Sequence, residues 1–184
     1  MHLQPDFMVE RIWDISPQRL RAEGIRFLII DLDNTLVDWG QARLRGEVER
    51  WAKQCRELEL SICICTNARC KPRTARIAAR LGAGYLSAAG KPFAQAYRRA
   101  LELLRADAPE TAFIGDQIFT DTWGANRLGL RTFLVKPLSP RDFPATRLPR
   151  LLEQRLFRSW RKSCLLYTSP SPRDRTRSRM PSSA

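Results

Sequence analysis

Residues 26–35 read RFLIIDLDNT. Four apolar side chains in a row, closed by an acid at 31, suit a short strand buried on both faces. That is the pattern of a strand inside a parallel sheet with helices over it. Asp31 and Asp33 then stand at the carboxyl end of the strand, the edge at which such sheets place their ligands.

The rest of the chain supplies the neighbours. Gln41 to Leu58 carries Leu44, Val48, Trp51, Ala52, Cys55 and Leu58 at helical spacing, and Leu60 to Cys65 reads as a second buried strand. Arg73 to Leu81 reads as a helix stopped by Gly82, followed by a third strand at Tyr85-Leu86. Pro92 opens a helix to about Ala106, Ala112 to Gly115 is a fourth strand, Thr120 to Leu128 a helix and Thr132 to Val135 a fifth strand. Strands alternating with helices define an α/β fold, a Rossmann-like three-layer sandwich around a central parallel sheet.

Length and composition agree with a single domain over residues 1–163. The 184 residues are 43% hydrophobic and 28% charged, a globular balance. No window holds the roughly 20 apolar residues of a membrane span. The opening MHLQPDFMVE lacks the basic-then-apolar pattern of a secretory signal, so a cytoplasmic location is expected. From Cys164 the sequence turns to CLLYTSPSPRDRTRSRMPSSA, rich in Ser, Pro and Arg and without period. Residues 164–184 are therefore expected to be a disordered tail, and they resemble run-on translation of adapter sequence.

Several chemistries drop out. His2 is the only histidine, which removes Ser-His and His-metal sites. The five cysteines are odd in number, two of them lie inside an apolar run, and no His completes a zinc set around them. The net charge of +13 is concentrated: no acid lies between Glu59 and Glu102, while Arg69, Lys71, Arg73, Arg76, Arg80, Lys91, Arg98 and Arg99 do. Arg127 to Lys162 is opposed only by Asp142 and Glu153. Such a surface attracts phosphorylated metabolites, nucleic acid or acidic membranes. It equally fits helix faces that are merely solvated, and charge alone does not choose.

The polar residues at the strand ends do choose. Asp31 and Asp33 follow the first strand, Thr66 and Asn67 the second, Lys91 the third and Asp116 the fourth, with Asp121 close behind. A cluster of four aspartates repels itself unless a cation sits in it, and oxygen-only ligands suit Mg²⁺, which shares substrate phosphates. Thr66, Asn67 and Lys91 offer the donors and charge that a phosphoryl group needs. Two carboxylates at one strand end can divide the work of attack and proton transfer.

These segments resemble the four motifs of the haloacid dehalogenase phosphatases: DLDNT at 31–35, Thr66, Lys91 and GDQIFTD at 115–121. The finer resemblance is to the subfamily IIIA, YqeG branch. It rests on PDFMVERIWDISPQRLRAEGI, DLDNTLVDW, GKPFAQAYRRAL, GDQIFTDTWGANRLGLRTFLV and the stretch at 146–153, and covers about residues 3–162. Ala68 stands where the family pattern has a second Asn.

The resemblance implies that Asp31 attacks phosphorus and Asp33 protonates the leaving group and then activates water. The metal would be held by Asp31, Asp116 and the backbone carbonyl of Asp33, with Asp121 in support. Thr66, Asn67 and Lys91 would bind the phosphoryl group, and Thr35, Asn67 and Gln117 would orient the rest. Asp31 and Thr66 are 35 positions apart and Thr66 and Lys91 25, so neither gap holds a cap domain. An open site suits a phosphate on something large, and relatives in this branch act on phosphatidylglycerophosphate. The expected partner is thus an anionic phospholipid reached by peripheral contact with a membrane. The alternatives are sugar or nucleotide monophosphates, or a basic ribosome- or RNA-associated protein with a vestigial site. Binding RNA needs no aspartate cluster, so a nucleic-acid partner is disfavoured.

Overall fold

The computed structural model describes residues 3–139 and Leu165–Leu166. The resemblance at 146–153, the 163/164 boundary and the rest of the tail lie outside the described residues.

The strands are β1 (Phe7–Val9), β2 (Phe27–Ile30), β3 (Ser61–Cys65), β4 (Gly84–Leu86), β5 (Thr111–Gly115), β6 (Arg131–Val135) and a two-residue β7 (Leu165–Leu166). They form one sheet in the order β4-β3-β2-β5-β6-β1-β7, and every pairing is parallel. The helices are α1 (Pro17–Ala22), α2 (Gly46–Glu57), α3 (Lys71–Leu81), α4 (Ala94–Leu104) and the short α5 (Gly124–Asn126). The five expected strands are all present. Beyond them the structure adds β1, and it adds β7 within the segment expected to be unstructured.

β2 is central because its side chains allow nothing else. Leu28, Ile29 and Ile30 are fully buried, and successive residues face opposite sides of the sheet. Leu28 and Ile30 join one core with Val48, Trp51, Ile77 and Phe133; Ile29 joins the other with Phe113, Tyr97 and Leu130. Two cores on two faces make the expected three layers.

Three local expectations shift. The helix expected from Gln41 starts at Gly46, although Leu44 is buried as its spacing required. Residues before Arg45 meet the apolar demand by packing while their backbone serves the site. Pro92 does not open a helix: it follows Lys91 through a cis peptide bond, and α4 begins at Ala94. Residues 118–123 are a π-helical turn leading into α5, a departure common at functional sites. The stop at Gly82 is as expected, with φ +63° at the helix end. Neither interval between Asp31, Thr66 and Lys91 carries a cap.

Candidate active site

Parallel strands in register deliver their next residues to one edge. Ile30 pairs with Ile64 on one side and with Ile114 on the other, and the Asp31 N–H donates to the Ile114 carbonyl at 2.9 Å. Asp31, Thr66 and Asp116 therefore emerge together. The loop after β2 folds back at once: Leu36 and Val37 donate to the Leu32 carbonyl, and the Asn34 N–H donates to Val37, with Asn34 at φ +64°. This compact turn buries Thr35, whose hydroxyl finds no hydrogen-bond partner among the described residues.

At the centre lies one buried cation between two buried acids. Lys91 Nζ donates to Asp31 Oδ1 at 2.6 Å and to Asp121 Oδ1 at 2.7 Å. Asp121 Oδ2 also accepts the Gln117 N–H at 3.0 Å, so the π-helical turn fixes its orientation. Oxygens of Asp31, Asp116 and Asp121 all lie within 4.8 Å of one another. Burial pushes the Asp31 carboxyl up to about 7 from 3.8; Lys91 opposes the rise, while the charges of Asp121 and Asp33 add to it. Burial also works against the charge on Lys91, but Asp121 and Asp31 outweigh it and hold the ammonium well above its usual range.

Carboxylates grouped this closely in a buried site repel one another and are costly unless positive charge is held among them. The donor set is all oxygen, close-spaced and without nitrogen or sulfur ligands. It fits Mg²⁺.

The remaining residues divide into those aimed at the pocket and those that hold it. Thr66 is buried and its Oγ1 accepts the Ala68 N–H at 3.1 Å. Asn67 spends its carboxamide on the next loop: Oδ1 accepts from the N–H groups of Gly90 and Lys91, and Nδ2 donates to the Lys91 carbonyl. Its side chain thus clamps Lys91, with one of its two Nδ2 hydrogens used in doing so. Gln117 Oε1 accepts from Thr120 Oγ1 at 3.0 Å. Asp33 is half-buried at the rim, outside the three-carboxylate cluster; its Oδ1 accepts the Gly40 N–H at 2.8 Å and a hydrogen bond from Arg73 Nη2. Sequence reasoning missed that pair, because Arg73 was counted only as surface charge. A pocket of about 820 Å³ joins Asp31, Asp33, Thr66, Lys91, Arg73 and the exposed Trp39.

Comparison with known proteins shows what the chain is similar to. A HAD-hydrolase-like family model matches residues 88–137, which hold Lys91, Asp116 and Asp121. The probable phosphatase YqeG of Bacillus subtilis (strain 168) is 32% identical over 153 residues, 83% of this chain and 88% of that one. The crystal structure of an uncharacterized protein from Listeria monocytogenes serotype 4b has a TM-score of 0.54 at 17% identity, over 72% of this chain and 99% of that one. A 3-deoxy-D-manno-octulosonate 8-phosphate phosphatase from Yersinia pestis has a TM-score of 0.49 at 21% identity, over 73% and 72%. The chain belongs to the haloacid dehalogenase superfamily, among its YqeG-type phosphatases.

Proposed function

We propose that the enzyme hydrolyses phosphomonoesters in two steps through an aspartyl phosphate on Asp31, with Mg²⁺ as cofactor. The observation that carries this reading is the Asp31 carboxylate itself, buried at a strand end, held by Lys91 at 2.6 Å and grouped with Asp116 and Asp121. Asp31 attacks phosphorus through the oxygen that Lys91 leaves open. As that bond forms, the bond from phosphorus to the leaving oxygen breaks, and the Asp33 carboxyl gives that oxygen its proton. Water then attacks phosphorus, its proton passes to Asp33, and the Asp31–phosphorus bond breaks to release inorganic phosphate. Thr66 and Lys91 hold the phosphoryl oxygens, while Asn67, Thr35 and Gln117 keep the loops in place. Asp31, Asp116 and the Asp33 carbonyl would hold the metal, supported by Asp121; the bound ion neutralises charge on the phosphoryl oxygens.

The test is hydrolysis of 4-nitrophenyl phosphate by purified protein with Mg²⁺ and with chelator. Asp31→Asn keeps the shape of the side chain but cannot attack, and a loss of at least roughly a thousandfold is expected. An active Asp31→Asn variant would place the nucleophile elsewhere.

For the substrate we favour phosphatidylglycerophosphate on an anionic membrane. The branch resemblance, the capless pocket and the surrounding basic residues support it. Arg73 pairs with Asp33 and Arg80 with Glu49, whereas Arg69, Lys71 and Arg76 are exposed cations in α3 and just before it, and we assign the membrane contact to these three. Phe93, 74% exposed two residues after Lys91, adds an apolar contact. Each such cation contributes about 1 kcal/mol near an anionic surface. No helix among the described residues is long and apolar enough to cross a membrane, so contact would be peripheral. A panel of phosphorylated lipids, sugars and nucleotides decides the matter; efficient turnover of soluble phosphates with the lipid ignored would overturn this choice.

A further inference from the structure

Arg73 differs from the other basic residues of its helix. It projects from the first turn of α3 toward the loop after β2, and its side chain is only 14% exposed. Two adjacent guanidinium nitrogens are both used: Nε donates to the Gln41 carbonyl at 3.0 Å, and Nη2 donates to Asp33 Oδ1. Gly40 brings its N–H to the same Asp33 oxygen. Arg45 and Arg80, by comparison, form their pairs with Asp38 and Glu49 on open surface. The planar fork of an arginine suits such paired bonds in a way that a lysine ammonium does not.

The consequence is one cation for each of the two carboxylates at the end of β2. Lys91 holds Asp31, and Arg73 holds Asp33. Both bonds to Asp33 fall on Oδ1, which leaves Oδ2 as the oxygen open toward a leaving group. Arg73 also ties residues 33 and 41 to α3, closing the loop on which Asp33 stands.

We propose that Arg73 is a positioning residue for the leaving-group step: it fixes the Asp33 carboxyl so that Oδ2 faces the oxygen that departs. This rests on the two-step phosphatase reading above. In the first half-reaction the Asp31–phosphorus bond forms, the bond from phosphorus to the leaving oxygen breaks, and the proton on Asp33 Oδ2 passes to that oxygen. Arg73 itself exchanges no proton. An aliphatic alkoxide leaves only with that proton, whereas a nitrophenolate is stable without it. Losing the orientation of Asp33 therefore harms alkyl esters far more than activated aryl esters.

The experiment compares kcat/KM for butyl phosphate and for 4-nitrophenyl phosphate, since this ratio reports the chemistry up to transfer onto Asp31. Arg73→Gln should lower the butyl ester value at least roughly tenfold more than the aryl value, a fraction of what general acid catalysis contributes. Arg73→Lys, which keeps charge but not the fork, should recover part of the difference. Asp33→Asn should show the same selectivity, and Arg80→Gln, at the residue that pairs with Glu49 on the exposed face of the same helix, should change neither ester. Equal losses on both esters would mean that Arg73 only braces the loop or binds phosphate, and the proposal would fall. Unchanged values in both arginine variants would also remove it. A wild type that hydrolyses neither ester would overturn the phosphatase reading itself, and this role with it.

Discussion

Asn67 grips Lys91 by both sides of its peptide unit. Its Oδ1 accepts the Lys91 N–H at 2.8 Å, and its Nδ2 donates to the Lys91 carbonyl at 2.9 Å. The two residues are 24 positions apart, on loops that follow different strands. The bonds make the Asn67 side chain the support for the backbone that carries the buried ammonium. Asn67→Ala should leave the protein folded, since each neutral hydrogen bond contributes only about 1 kcal/mol. It should lower kcat by about tenfold to a hundredfold through misplacement of Lys91. Steady-state kinetics beside a thermal melt separates the two effects; a collapse in melting temperature with normal kcat would contradict the clamp.

The close grouping of Asp31, Asp116 and Asp121 should make the native state responsive to Mg²⁺ even without substrate. An ion that binds only the folded state stabilises it by about 2.7 kcal/mol at a hundred times its dissociation constant. The melting temperature should rise with added Mg²⁺ and return in chelator. Asp116→Asn should abolish the response. An unresponsive wild type would show that Lys91 alone balances the cluster.

Gly115 offers a way to disturb the site without touching any of its side chains. A Cβ at this position would lie 2.3 Å from Asp121 Oδ2 and 2.5 Å from its Cγ. Something must move, and Asp121 is held by Lys91 and by the Gln117 N–H. Gly115→Ala should therefore push Asp121 off Lys91 and cost roughly a hundredfold in kcat/KM. The accompanying loss of stability should be about 1–3 kcal/mol, the usual cost of overpacking. Full activity in this variant would mean that Asp121 is dispensable.

The thiols should separate by reactivity. Burial pushes Cys55, Cys63 and Cys65 up to about 12, from 9.0, and removes them from solvent, whereas Cys70 is exposed at the start of α3. In a Cys164→Ser background, a disulfide reagent at neutral pH should label one thiol rapidly, and three more only on unfolding. Rapid labelling of two or more native thiols would refute the burial.

The catalytic strand was legible because its signal is local. RFLIID is apolar on both faces over consecutive residues, and the acids that follow it are in sequence beside it. Thr66, Lys91 and Asp116 were placed by the same logic, one strand end at a time. β1 was missed because three residues, Phe7–Val9, carry no period of their own. Their partners lie on β6, and no local pattern announces a pairing made at that distance. The same holds for Arg73: nothing in KPRTAR separates the arginine that reaches Asp33 from Arg76, three positions on, which stays exposed. Asn67 was recognised as part of the site, but its use as a backbone clamp depends on where residues 90 and 91 return. Leu44 shows the opposite case, a helical spacing satisfied by burial without a helix.

The position of β1 bears on how the chain is made. Phe7 pairs with Phe133, and Asp6 exchanges hydrogen bonds with Thr132, 126 positions away. A chain emerging from its amino end must leave this strand waiting until β6 has been synthesised. Meanwhile β2, β3 and β5 can already assemble and bring Asp31 beside Asp116. β1, made well before β6, is thus among the last strands that can be seated, and its apolar side chains wait for β6 in the meantime. Long-range parallel pairings of this kind close slowly, and the waiting interval exposes surface of the sort that chaperones bind. For this protein the hazard of misassembly sits in Phe7, Met8 and Val9.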